Sequence, residues 1–188
     1  VMRANQFEWN WQAARAGKEK DPTEWFMTPQ TVNAYYLPTN NEIVFPAAFL
    51  QPPYFDMSAD DAANYGAIGS VIGHEISHGF DDRGRQYDGD GNLRDWWTAD
   101  DNDKFKAKAG GLVKQYSSFT ALPGLNVNGE LTLGENIGDL SGAAVAFAAY
   151  KASLAGKAAP VIDGFTGEQR FFLGYGQSWR TKWRDGLM

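Results

Sequence analysis

Two spacings of apolar residues divide the chain. Thr31–Leu37 and Glu42–Phe45 are short runs of β-branched and aromatic residues, separated by Pro38-Thr39-Asn40-Asn41. Runs of this kind around a turn-forming linker predict a strand pair, either packing a small sheet or offering an edge to an extended peptide. Elsewhere the spacing is helical. Val1–Ala16 places Phe7 and Trp11 on one face, and the mixed-charge run Gly17–Pro22 ends it as a solvated loop. Asp21-Pro22-Thr23-Glu24 reads as a short helical start, and Leu50-Gln51-Pro52-Pro53 closes the sheet region. Asp60–Asp82 leads through a helix with small residues at Ala67, Gly69, Ser70 and Gly73. Glycine inside a helix costs about 1 kcal/mol, so Gly69 and Gly73 point to close backbone approach. Thr98 with Asp101 forms a capping-box pattern opening a helix to about Tyr116, with Phe105, Leu112 and Tyr116 inward. Leu122–Gly129 reads as a loop, followed by a helix from near Thr132 to about Leu154. Ala155–Gly164 is a loop, and Thr166 caps a last helix whose stripe of Phe172, Tyr175, Trp179 and Trp183 reads as core. These elements predict an α+β fold, mainly helical, with one small β-sheet.

Composition narrows the class. A chain of 188 residues suits one domain burying about 70% of its unfolded surface. Its 43% hydrophobic content is globular rather than disordered. A formal charge of −6 without a basic cluster speaks against a nucleic-acid partner. The absence of cysteine excludes disulfides and thiolate metal sites and leaves the compartment open. No secretory signal and no transmembrane segment is visible; the longest apolar stretch, Gly142–Tyr150, is too short to span a bilayer.

Chemistry concentrates in Gly69–Asp82, GSVIGHEISHGFDD, which holds both of the chain's histidines. Four residues apart on a helix, His74 and His78 share a face, with Glu75 beside them. Two imidazoles on one face with an adjacent carboxylate is what zinc chemistry requires; two ordinary histidines are the plainer alternative. A catalytic zinc needs a third protein ligand and an open position, and only carboxylates remain to supply it. Glu135 is the best candidate. It lies near the start of a helix where Gly134, Gly138 and Gly142 recur every four residues, and Asp139 follows one turn later on the same face. Thr132 and Glu135 also match a capping box, so spacing alone leaves cap and ligand open for Glu135. Asp139 by itself reads as a solvated helix residue. Asp88–Asn92 invites a calcium reading, but Leu93 and Ala99 stand where that loop needs glycine and glutamate, leaving a turn.

Val32–Tyr36 (VNAYY), Asn41–Ala47 (NEIVFPA), Leu50–Pro53 (LQPP), Val71–Asp82 and Gly134–Asp139 (GENIGD) occur in the order found in the neprilysin and endothelin-converting-enzyme family of zinc peptidases. The likeness runs from about Trp25 onward and is similar to the bacterial oligopeptidase O branch above all. The resemblance implies a thermolysin-like core binding one Zn2+ per chain through His74, His78 and Glu135. It implies Glu75 as the catalytic carboxylate, Asp139 as the residue orienting a ligand histidine, and Asn33 and Ala34 as part of a substrate-backbone-binding strand. Asp81, one turn beyond His78, is a further partner for a ligand. The expected activity is endopeptidase cleavage of short peptides; the alternative is a non-catalytic zinc-binding or assembly module completed by a partner chain. Relatives carry an oxyanion-stabilising histidine and a substrate-gripping arginine beyond the region matching Thr166–Arg184, and an amino-terminal region roofing the active site. The expectation is therefore a single catalytic domain over residues 1–188 lacking both. Its zinc site forms but works poorly unless a partner chain or homo-oligomer completes it. The resemblance also favours a periplasmic or secreted bacterial location over a cytoplasmic one.

Overall fold

The computed structural model describes residues 1–19, 21 and 23–181. At its centre, helix α3 (Ser70–His78) packs on helix α5 (Leu133–Ser153). Helix α3 is preceded without a break by α2 (Asp61–Asn64) and a π-helical turn over Tyr65–Gly69. Glycine makes the crossing close. A Cβ on Gly73 would lie 2.8 Å from the Cα and carbonyl oxygen of Gly142, and one on Gly142 would lie 2.6 Å from the His74 nitrogen. One turn along α5, a Cβ on Gly138 would sit 2.7 Å from the His74 ring, so the imidazole occupies the space a side chain would take.

Helix α6 (Gly167–Ser178) seats against α2 and the π turn. Ala62, Ala146, Tyr150 and Phe171 are buried together there, and Phe147 packs edge-on against Phe171. The buried Arg170 is fully engaged, as a charge in that position must be. Its Nε and Nη2 donate to Asp60 at 2.7 and 3.2 Å, and its Nη1 donates to the carbonyls of Pro160 and Phe165. A second cluster, Ala34, Phe49 and Ile68, sits beneath the strands. Thr166 and Gln169 bond each other's main-chain nitrogens, as do Thr98 and Asp101 ahead of α4 (Ala99–Ser117).

The strand pair is antiparallel, β1 (Tyr35–Leu37) with β2 (Glu42–Val44), in the register Tyr35 to Val44 and Leu37 to Glu42. The first strand is shorter than the run beginning at Thr31, because the residues before Tyr35 make no ladder. One small sheet was the expectation; a second is present. Thr120–Leu122 (β3) pairs with Leu125–Asn126 (β4) across Gly124, whose φ of +78° closes a turn in the stretch read as loop. Helix α1 (Met2–Ala13) forms but buries nothing, with Phe7 70% exposed. Asp21 does not open a helix: its carboxylate takes the Thr23 N–H and hydroxyl in a local turn. Pro22 and Trp183 lie outside the described residues. In α4, Phe105, Leu112 and Tyr116 are only half-buried and Ala109 is the residue fully covered. The described residues of the α6 stripe are not core: Phe172 and Trp179 are more than half exposed and Tyr175 is half-buried, while neighbouring Phe171 is in the core. Among the described residues no helix is long and apolar enough to cross a membrane.

The crossing and the open surface respond oppositely to a methyl group. Gly142→Ala is expected to lower unfolding free energy by about 1–3 kcal/mol through overpacking. Gly110→Ala, with nothing within 4 Å of the new Cβ, is expected to raise it by about 0.5–1 kcal/mol. Urea denaturation of the two variants checks both signs.

Candidate metal centre

Helix α3 carries His74 and His78 on one face, their rings 4.6 Å apart and nearly perpendicular. Each ring is held from behind by an aspartate. His74 Nδ1 is 2.9 Å from Asp139 Oδ1, and His78 Nδ1 is 2.8 Å from Asp81 Oδ2. A carboxylate only accepts, so the proton on each of these bonds belongs to Nδ1, and each Nε2 points away from its aspartate. Both Nε2 atoms face Glu135 Oε2, at 3.2 Å from His74 and 3.9 Å from His78. Asp81 is itself fixed: it is buried, and its Oδ1 accepts from the main-chain nitrogens of Arg83 and Gly84 at 2.8 and 2.6 Å.

Thr132 does not cap α5 through Glu135. Its hydroxyl donates to the Asn128 carbonyl and accepts from Asn136 Nδ2, which leaves the Glu135 carboxylate free to reach across to α3. Of the two roles left open by spacing, the geometry has no cap.

The three groups fit zinc. Their ligand atoms lie within 4.8 Å of one another. Tetrahedral zinc with bonds of about 2.0–2.2 Å separates its ligand atoms by roughly 3.3–3.6 Å, and the Nε2–Oε2 distances of 3.2 and 3.9 Å bracket that range. The field favours a cation as well. Burial opposes the His74 imidazolium, yet hydrogen bonds to Asp139 and Glu135 outweigh it and raise the pKa to about 10. His78 is raised by its bond to Asp81 against the effect of burial, and Glu135 is held down by its bond to His74. Acidic groups that hold protons on both rings equally stabilise a divalent ion in the protons' place.

Glu75 is 5% exposed, beside the metal group and with the Tyr36 main chain as a hydrogen-bond donor. Burial pushes its carboxyl up, and the two histidines only partly oppose this. Two clefts meet here, sharing Asn33, His74, Glu75 and Glu135 in their walls. Asn33 is exposed at this junction. Ala34 is different: its side chain is buried with Phe49 and Ile68, and it borders only the second cleft. Sequence spacing missed Tyr175 and Trp179, which line the first cleft together with Val71. Their helical periodicity was a true signal of one face, but periodicity does not say whether a face meets core or cleft.

The sequence model of peptidase family M13 matches residues 33–187. Mouse endothelin-converting enzyme 1 is 47% identical over 95% of this chain. The crystal structure of the zinc metalloprotease Zmp1 of Mycobacterium tuberculosis, in complex with an inhibitor, superposes with a TM-score of 0.90 at 59% identity over 94% of this chain and 28% of Zmp1. PepO from Lactobacillus rhamnosis superposes at 0.78 and 41% identity over 89% of this chain and 25% of PepO. The chain spans about a quarter of the length of the curated relatives it matches, 24% for the mouse enzyme. From its matched family model, its identity to these proteins and its His–His–Glu group, this chain belongs to peptidase family M13 and has zinc as its cofactor.

Proposed function

We propose that the chain is the catalytic core of a zinc metalloendopeptidase that cleaves short peptides, with His74, His78 and Glu135 holding the ion. One observation carries the reading: two imidazoles, each pinned by its own aspartate, turn their free nitrogens toward one glutamate, with a buried carboxylate alongside. When bound there, zinc supplies Lewis-acid polarisation and brings a bound water to a pKa of about 7.

The chain's own residues do the rest. Glu75 takes the proton from the attacking water and gives it to the leaving amine; a carboxyl raised by burial suits a group that must hold a proton before passing it on. Asp139 and Asp81 hold the Nδ1 protons and keep both Nε2 lone pairs turned to one point. Asn33 and the Ala34 main chain lead into β1 and border the second cleft, where an extended peptide would bond the backbone just ahead of the strand. Both histidines of the chain face the metal position, so none is left to bond the oxyanion. A missing oxyanion donor costs about 10²–10³ in kcat, so these residues alone are expected to turn over slowly until further protein supplies one.

Glu75→Gln is expected to retain zinc and to lose about 10²–10⁴-fold in kcat, read by metal analysis and peptide cleavage with and without chelator. Full zinc occupancy without chelator-sensitive cleavage in the parent protein would instead establish a non-catalytic zinc module. Asp139→Ala and Asp81→Ala are each expected to weaken zinc by about 10–100-fold, measured by competition with a chromogenic chelator. Unchanged affinity in both would remove the aspartates from the site.

A further inference from the structure

The second cleft is walled by residues 33–36 and Pro38, by the metal group, and by the loop that follows α3. That loop is tied to the helix end. A Cβ on Gly84 would overlap the His78 carbonyl. Asp81 accepts from the His78 ring through Oδ2 and from the Arg83 and Gly84 main chains through Oδ1. One buried aspartate thus fixes both a metal-facing imidazole and the backbone that carries the Arg83 side chain.

Among the described residues lining the two clefts, Arg83 is the one lysine or arginine; Glu75, Asp81, Asp82, Glu135 and Asp139 are the acids. Its side chain is exposed, and among the described residues its guanidinium makes no hydrogen bond or ion pair. The neighbouring acids are engaged elsewhere. Both oxygens of Asp81 are taken by the ring and the main chain, and Asp82 Oδ1 is buried 3.3 Å from where a Gly134 Cβ would lie. Exposed cations elsewhere have closed on a carboxylate, as Lys104 on Asp100 and Lys151 on Glu168. Arg83 has not. A guanidinium presents a planar fork of donors matched to a carboxylate, and in an acid-lined cleft it is the group that attracts an anion.

We propose that Arg83 is a specificity-determining residue whose guanidinium takes a carboxylate of the peptide held in the second cleft, so that acidic peptides are preferred over their amides. The carboxylate belongs to an acidic side chain or to the free C-terminus, which present the same pair of oxygens. Because the loop is fixed to the end of α3, the cation stands at a set place relative to the metal group and reads one position along the peptide. The inference rests on the metalloendopeptidase reading above.

The test uses the zinc-loaded protein and a peptide series in which glutamate replaces glutamine at one position at a time on either side of the cleaved bond. Each peptide is made with a free and with an amidated C-terminus. At one position kcat/KM is expected to favour the carboxylate by roughly two- to fivefold at low salt, and the preference to shrink as ionic strength rises. Arg83→Gln is expected to bring that ratio to about one, Arg83→Glu to invert it, and Arg83→Lys, which keeps the charge, to retain part of it. Zinc content is expected to be unchanged in all three, since Arg83 meets Asp81 through its main chain. A preference for glutamate in the amidated peptides assigns the side-chain carboxylate; one that follows the free C-terminus alone assigns the α-carboxylate. Calorimetric binding of the same peptides to zinc-loaded Glu75→Gln reads the ratios without turnover. No preference for a carboxylate at any position, or one surviving in Arg83→Gln, overturns the proposal. Absence of cleavage with the binding preference present overturns the peptidase reading alone, and absence of peptide binding to every form overturns both.

Discussion

Everything in the site depends on how closely α5 lies on α3. Gly73 and Gly142 bring the two backbones into contact, and Gly138 leaves room for the His74 ring. The consequence is chemical as well as steric. Glu135 and Asp139, one turn apart on α5, can then address opposite nitrogens of the same imidazole, one from the front and one from behind. Helices at ordinary separations of 8–10 Å carry side chains between their axes; here Gly138 and Gly142 leave none at the points of closest approach. Glycine within a helix costs about 1 kcal/mol relative to alanine, and the convergence of three ligand atoms is what that cost maintains.

The electrostatic arrangement follows from that geometry. His74, His78, Asp81, Asp139 and Glu135 form a set in which negative charge exceeds what two imidazolium ions could neutralise. The aspartates sit on the far side of the rings, where they set proton position without occupying the metal's coordination space. Glu75 is spared a direct bond to either ring, and its environment raises its pKa whereas that of Glu135 is lowered. Two carboxylates near one pair of histidines thus differ through their surroundings alone, one pushed up by burial and the other held down by its bond to His74.

Much of this was legible in the residues. Two histidines at helical spacing, in a chain with no others and no cysteine, specify a face and limit the remaining ligands to acids. The four-residue recurrence of glycine from Gly134 predicts close helix packing, and the structure has it. The choice between cap and ligand for Glu135 was not legible, because it turns on Thr132 finding Asn128 and Asn136 as partners. The α6 stripe misled for a related reason: spacing identifies a face, whereas Phe172 and Trp179 are exposed because the helix seats on Phe171 and Arg170. The second hairpin escaped because a strand of two or three residues carries almost no periodicity of its own, whereas the first helix was legible and only its lack of any buried face was not.

The π turn links the two halves of the site. Helix α2 and the π turn itself meet α6 through glycine: a Cβ on Gly66, within the turn, would overlap the Phe171 carbonyl, and one on Gly174 of α6 would lie 2.9 Å from the Ala63 Cα of α2. That seat places Tyr175 and Trp179 along the cleft. Beyond the turn, α3 begins and delivers His74 and His78 to α5. The extra residue of a π turn rotates everything after it relative to everything before. The wall of the cleft and the ligands at its mouth are therefore set by separate glycine contacts on one nearly continuous helix. The wall of the cleft and the His–His–Glu group thus share a scaffold yet rest on different backbone contacts.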